Sequence, residues 1–117
     1  MQKQTFVQVD AEQWLAMEQF PGTTFLPLAE PVPEGSIHLL KLKAGTTIPL
    51  HTHPCDEYVY VLSGIVETGK VRCSAGTFWC TPAYIQQGSH RAITDVEIMT
   101  IRLGKMGEFE AVNDVKN

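Results

Sequence analysis

The sequence predicts an all-β protein, a sandwich or barrel built from many short strands. Short apolar runs rich in β-branched and aromatic residues recur between residues 37 and 103, and such runs are typical of strands. Glycine, proline or aspartate separates almost every run from the next, which is the turn pattern of antiparallel sheets. The number and spacing of these runs therefore favour a sandwich or barrel.

The individual strands follow from these runs and from the turn residues between them. The predicted strands cover residues 6–9, 23–28, 37–43, 48–53, 57–62, 65–68, 71–73, 77–81, 89–94 and 96–103. Residues 29–36 are predicted to form a loop, and a polar tail of low order follows residue 103. One short helix is predicted from residue 11 to about residue 20. Asp10 provides its N-cap, Gln13 lies at the capping-box position, and Pro21-Gly22 ends it.

Composition limits the class of protein. A chain of 117 residues suits one domain over residues 1–117. The 9 basic side chains are scattered and the net charge is −4, so no nucleic-acid partner is expected. No apolar run approaches membrane-spanning length, and residues 1–7 lack a signal-peptide core, so a cytoplasmic protein without a membrane partner is expected. The three cysteines form no CxxC pair and are expected to be reduced.

The strand at residues 57–62 has two distinct faces. Glu57 shares one face with two valines, whereas Tyr58, Tyr60 and Leu62 share the other. If Glu57 points into the barrel, the two tyrosines and the leucine cover its outside. An apolar outer stripe of this kind predicts a homodimer.

The strongest functional signal lies just before that strand. His51 and His53 are two residues apart, so both imidazoles point to the same face of a strand, and Glu57 opens the next strand. Two neutral nitrogens and one carboxylate from adjacent strands suit a divalent transition metal. Buried polar groups need partners, so we interpret this trio as a metal site.

Residues 45–64 resemble the first motif of the cupin superfamily, G-x5-H-x-H-x3-E-x6-G, at every specified position. The residues that match are Gly45, His51, His53, Glu57 and Gly64. The second cupin motif, G-x5-P-x-G-x2-H, is matched in part, with a longer loop before its histidine. The residues that match it are Gly76, Pro82, Gly88 and His90.

This resemblance implies a double-stranded β-helix, the jelly-roll cupin barrel of RmlC-like proteins, over about residues 36–103. It also implies a metal held by three histidines and one glutamate: His51, His53, Glu57 and His90. The metal is expected to be Fe, Mn, Ni or Zn. The chain is also loosely similar to the cupin domain of zinc-binding anti-sigma factors and to three-histidine dioxygenases that cleave β-dicarbonyl compounds.

Other residues are weaker site candidates. His38 shares a face with Leu40 and Leu42 and is interpreted as a hydrogen-bonded core or interface histidine, with a place in the cavity as the alternative. The aromatic and apolar candidates for pocket walls are Phe78, Trp79, Tyr84, Met99 and Ile101. The polar candidates are two arginines that can bind a carboxylate and two amides that can orient a substrate: Arg91, Arg102, Gln86 and Gln87.

Three functions are compatible with these features. The first is an Fe(II)-type dioxygenase that acts on a small organic substrate, either dicarbonyl-like or an aromatic acid. The second is a metal-assisted isomerase, epimerase or lyase. The third is a non-catalytic module that senses a metal or small ligand, since fold alone does not determine function. All three expect a small-molecule partner, and the mostly apolar strand faces favour a compact one.

Overall fold

Twelve short strands make up the structure, a computed structural model that describes residues 3–109, with the backbone alone for residues 108–109. The strands are β1 Leu15–Ala16, β2 Thr23–Ala29, β3 Ser36–Leu42, β4 Thr47–Ile48, β5 His51–Thr52, β6 Glu57–Ser63, β7 Ile65–Thr68, β8 Val71–Ser74, β9 Phe78–Thr81, β10 His90–Ala92, β11 Val96–Arg102 and β12 Glu108–Phe109. The all-β prediction is therefore confirmed. In the described range no helix is long and apolar enough to cross a membrane.

The strands form two main antiparallel sheets. The larger has the order β1-β2-β3-β11-β6-β9, the smaller has the order β4-β10-β7-β8, and β12 pairs with β5. Val61 of the larger sheet and Val66 of the smaller belong to the same buried cluster, and they are 0% and 1% exposed. The two sheets thus pack face to face around a shared core, which is the predicted jelly-roll arrangement.

The inner face of the larger sheet changes from apolar to polar along its strands. Near one end Leu42 pairs with Val96, and both are buried. At the other end Arg102 of β11 lies opposite Ser36 of β3 and opposite Glu57 of β6. Residues that are directly opposite on neighbouring strands point to the same face. The polar side chains are therefore gathered at one end of the barrel.

The N-terminal segment differs from the prediction. The helix predicted from residue 11 to about residue 20 is wrong, since only a 3-10 turn, Val9–Ala11, forms there. The side chain at the N-cap of this turn, Gln8, makes no capping hydrogen bond. Strand β1 follows instead, with Leu15 paired to Phe25. An isolated helix of this length is marginal, whereas pairing with the sheet edge satisfies the backbone. The strand predicted at residues 6–9 does not form either.

Two further boundaries also differ. The strand predicted at residues 48–53 is interrupted at Pro49 and Leu50, so it becomes β4 and β5, because proline cannot donate a ladder hydrogen bond. The tail beyond residue 103 includes β12, in which Glu108 pairs with Thr52. The end of the described chain is thereby joined to the strand that begins with His51.

The outer stripe on β6 lies where the sequence predicted. Tyr60 and Leu62 are 40% and 42% exposed, and the Tyr58 ring stacks on Phe78 with centroids 6.2 Å apart. Glu57 is buried on the opposite face. The homodimer stays a prediction.

The core predicts a sharp contrast between two leucines. Leu42 is 2% exposed, so Leu42→Ala should lower the free energy of unfolding by about 2–5 kcal/mol through lost burial and a cavity. Leu62→Ala removes the same atoms from an exposed position and should change stability by no more than about 0.5 kcal/mol. Urea denaturation of both variants measures the difference. Equal destabilisation by the two substitutions would contradict this account of the core.

Candidate metal centre

Three short strands bring four predicted site residues together. His51 begins β5, Glu57 begins β6 and His90 begins β10, while His53 directly follows β5. All four are buried, with exposures of 4–8%. Donor atoms of His51, His53 and Glu57 lie within 4.8 Å of one another. The His90 ring lies beside this cluster, with its centroid 5.3 Å from that of His51.

Backbone carbonyl groups orient the histidine pair. Nδ1 of His51 lies 2.9 Å from the Pro49 carbonyl oxygen, and Nδ1 of His53 contacts the Met106 carbonyl oxygen. A carbonyl only accepts hydrogen bonds, so each Nδ1 carries the proton and donates it. Each Nε2 is then the nitrogen that can bind a metal, and outer hydrogen bonds of this kind are typical of metal-ligating histidines.

Glu57 is held from two sides. Its Oε2 lies 3.1 Å from Nε2 of His53, and its Oε1 accepts a hydrogen bond of 2.9 Å from Nε2 of Gln87. Gln87 is itself buried and exchanges two backbone hydrogen bonds with His51, of 3.0 and 2.9 Å. The sequence analysis placed Gln87 among the amides that can orient a substrate. Its observed role, holding the carboxylate in place, has no signature in the local sequence.

The four groups differ in charge. Burial lowers the pKa of His90 to about 4, with a contribution from neighbouring His51, and burial also lowers the pKa of His51. Burial opposes charge on His53 too, but the hydrogen bond and charge of Glu57 outweigh it and raise the His53 pKa. Burial favours a neutral Glu57, yet the hydrogen bond and charge of His53 lower its pKa. The pKa shifts thus favour a charged pair of His53 and Glu57 beside two neutral imidazoles.

These residues fit a divalent transition metal. Three imidazoles and one carboxylate are the donor types that Fe, Mn, Ni and Zn accept. The buried Nδ1 of His90 has no hydrogen-bond partner among the described residues, and burial of an unpaired polar atom costs free energy. Nε2 of His53 and Oε2 of Glu57 lie 3.1 Å apart, and a metal cation can replace a proton held between two such donor atoms.

A cavity of about 190 Å³ adjoins the four residues. Trp79 lines it, as predicted, and its ring stacks 5.6 Å from that of His90. The other predicted wall residues are not among those that line the cavity: Phe78, Tyr84, Met99 and Ile101. Phe78 and Tyr84 are exposed. Met99 and Ile101 pair with Tyr60 and Tyr58, which places them on the outer face of the sheet.

The polar candidates also separate into inner and outer groups. Arg102 and His38 line the cavity, and Nδ1 of His38 lies 2.7 Å from Oγ of Ser36. His38 is therefore hydrogen-bonded, as expected, and it faces the cavity, which was the alternative. Burial, together with the charge of Arg102, lowers its pKa to about 4. Arg91 instead forms an exposed ion pair of 3.3 Å with Glu67.

Several wall residues were not identified from the sequence. Phe25, Leu40, Ile98 and Thr100 line the cavity, and they come from β2, β3 and β11. Alternation within each strand shows which residues share a face. Only the register between strands shows that these faces coincide with that of Glu57.

Sequence comparison identifies a matching family. The family described as the ChrR cupin-like domain matches residues 2–107, which is most of the chain. No curated protein sequence matches.

Solved structures share the fold at low identity. KdgF from Halomonas sp. has a TM-score of 0.74 and 22% identity, covering 89% of this chain and 97% of that chain. An acetylacetone dioxygenase from Acinetobacter johnsonii has a TM-score of 0.79 and 15% identity, covering 95% and 85%. The complex of Rhodobacter sphaeroides SigE with the anti-sigma ChrR has a TM-score of 0.68 and 20% identity, covering 81% of this chain and 50% of that chain. At these identities the likeness concerns the fold alone.

The site predicts a clear pattern of metal loss. The double variant His51→Ala, His53→Ala removes two nitrogen donors and should abolish stoichiometric metal. Glu57→Gln keeps the shape but loses the charge, and it leaves all three imidazole donors, so it should weaken metal affinity less. His38→Ala is the matched control, because His38 lines the cavity outside the cluster. Elemental analysis and competition with a chelator measure these effects, and full metal retention by the double variant would refute the site.

Metal affinity should also depend on pH. The pKa of His53 is raised above the ordinary histidine value of about 6.5. A proton therefore competes with the metal for His53 even above that pH. The lowered pKa values of His51 and His90 keep these two imidazoles neutral there. Affinity for Zn(II) should therefore weaken as pH falls from about 8 to about 6, with proton release on binding. Calorimetry in two buffers measures this. Glu57→Gln should move the dependence to lower pH, and a constant affinity would contradict the prediction.

Proposed function

Because the chain belongs to the ChrR cupin-like domain family, we propose that it is a metal-dependent dioxygenase acting on a small organic substrate. One observation carries the proposal. A cluster of metal-donor side chains lies at the polar end of a small cavity whose other walls are mainly apolar. This combination suits a compact substrate held next to a reactive metal.

The chain's own residues would hold the metal and set its charge. His51, His53 and His90 would bind as neutral nitrogen donors and Glu57 as a carboxylate, with Gln87 keeping that carboxylate in place. When bound, a redox-active metal such as Fe(II) supplies a Lewis acid and the electrons needed for oxygen chemistry. Nickel, manganese and zinc use the same donor types, so the choice of iron is part of the proposal.

The apolar walls would shape the reaction environment. Val59 is 3% exposed and Ile98 is 7% exposed, and both line the cavity with Trp79. These side chains exclude water from the substrate and strengthen electrostatic interactions at the polar end. A volume of about 190 Å³ limits the substrate to a compact molecule, for which we propose a dicarbonyl-like compound or an aromatic acid.

A similarity of fold supports this choice of chemistry. A solved neighbour is an acetylacetone dioxygenase, so the same barrel supports oxygen chemistry on a small dicarbonyl compound in that protein. Since one fold hosts many functions, the support comes from the combination of this fold with the donor cluster.

A second candidate, ligand sensing without turnover, has its own support. The family description refers to ChrR, and a solved neighbour is the complex of SigE with the anti-sigma ChrR. In this alternative the same donor cluster would bind a metal for regulation, and the partner would be a protein.

Oxygen uptake tests the proposed function. Apoprotein reloaded without oxygen with Fe(II) should consume oxygen in step with loss of one of a panel of small β-dicarbonyl compounds and aromatic acids. The Zn(II) form should be inactive, because zinc does not change its redox state. The double variant His51→Ala, His53→Ala with added Fe(II) is the control for free iron. Turnover by the zinc form without oxygen would instead indicate an isomerase or lyase, and binding without turnover under either metal would favour the sensor.

A further inference from the structure

Arg102 places a positive charge in the cavity next to the donor cluster. In the sheet, Arg102 of β11 lies directly opposite Glu57 of β6 and Ser36 of β3. The three side chains therefore share the inner face of the sheet. Arg102 lines the cavity. Among the described residues that line it, no other side chain carries a permanent positive charge.

No described carboxylate forms an ion pair with Arg102. The Arg102 Nε donates a 3.0 Å hydrogen bond to the carbonyl oxygen of Gly104, and no described side chain forms an ion pair with its guanidinium. Glu57, which lies opposite Arg102 on β6, is already held by His53 and Gln87. The two terminal guanidinium nitrogens can therefore serve a ligand, and a carboxylate matches their fork geometry.

We propose that Arg102 is a specificity-determining residue that binds the carboxylate of a short oxo acid, whose oxo group lies toward His51, His53 and Glu57. Neighbouring strands are about 4.8 Å apart, so a carboxylate on Arg102 and an oxygen at the donor cluster suit an acid with only a few atoms between these groups. The hydrogen-bonded pair Ser36 and His38 adds polar surface on the Arg102 side of the cavity. This inference rests on the proposed function for the assumption that the cavity binds substrate. It narrows the substrate class from dicarbonyl-like compounds and aromatic acids to short oxo acids.

Two matched probes test the inference. 3-Oxobutanoate and pentane-2,4-dione have the same skeleton, except that a carboxylate in the first replaces an acetyl group in the second. Binding is measured by calorimetry without oxygen, on the protein as purified and with equal metal content in every variant. The wild type should bind the acid about tenfold or more tightly than the diketone, since a hydrogen bond to a charged group contributes this much.

The variants separate the guanidinium from general effects of charge. Arg102→Gln should lose the preference for the acid and keep its affinity for the diketone, whereas Arg102→Lys should recover part of the preference. Arg91→Gln is the control, because Arg91 lies outside the cavity in an exposed ion pair. The Lys variant keeps the test decisive if Arg102→Gln does not fold. The inference is overturned if the wild type binds neither probe or shows no preference between them. It is also overturned if Arg102→Gln keeps the preference of the wild type unchanged.

These results are distinguishable from failure of the proposed function. An Arg102-dependent preference for the acid without oxygen uptake would leave the carboxylate site standing and would refute the dioxygenase. Oxygen uptake with the neutral diketone, combined with equal binding of the two probes, would support the dioxygenase and refute the carboxylate site.

Discussion

The pairing of β11 with both β3 and β6 is the constraint on which the site depends. This central strand places Thr100 opposite both His38 and Val59, and it places Arg102 opposite both Ser36 and Glu57. A shift of one residue would turn every one of these side chains to the outer face. The apolar core at the other end of the same strands opposes such a shift, because it would expose buried residues. Core packing therefore also sets the position of the polar groups.

The close turn after β6 supports this register. Gly64 has a φ of +83°, and a Cβ there would overlap the carbonyl oxygen of Asp95. Ile65 also donates its backbone N–H to Oγ1 of Thr94, at 3.0 Å. The chain can therefore turn directly from β6 into β7 against the start of β11. The last glycine of the sequence motif thus acts through backbone geometry, and it holds the strand that begins with Glu57.

The donor cluster combines fixed orientation with unequal charge. Backbone carbonyl oxygens orient His51 and His53, and Gln87 holds Glu57. The close pair of His53 and Glu57 and two imidazoles with lowered pKa values lie at the end of a mainly apolar cavity. Such a site costs free energy when its polar groups lack partners. Nδ1 of His90 has no hydrogen-bond partner in the described part of the chain, as expected for a site whose partners include a ligand.

Much of the fold and part of the site were predictable from local sequence. The alternation of residues along a strand is a local property, so the sequence alone determined that His51 and His53 share a face and that Glu57 opposes the tyrosine stripe. The motif resemblance added His90, in spite of the longer loop before it. The short helix was wrong because edge pairing with β2 competes with local helix signals, and sequence patterns do not measure that competition.

Only the tertiary structure decided which faces meet. Arg91 and Arg102 are both single arginines in strands, yet one forms an exposed ion pair and the other lines the cavity. Gln87 is buried against Glu57 although it lies in a polar loop. These outcomes depend on register and packing between segments that are 24 or more residues apart in the chain. Local alternation tells which residues share a face, whereas pairing between distant strands determines which of those faces encloses the cavity.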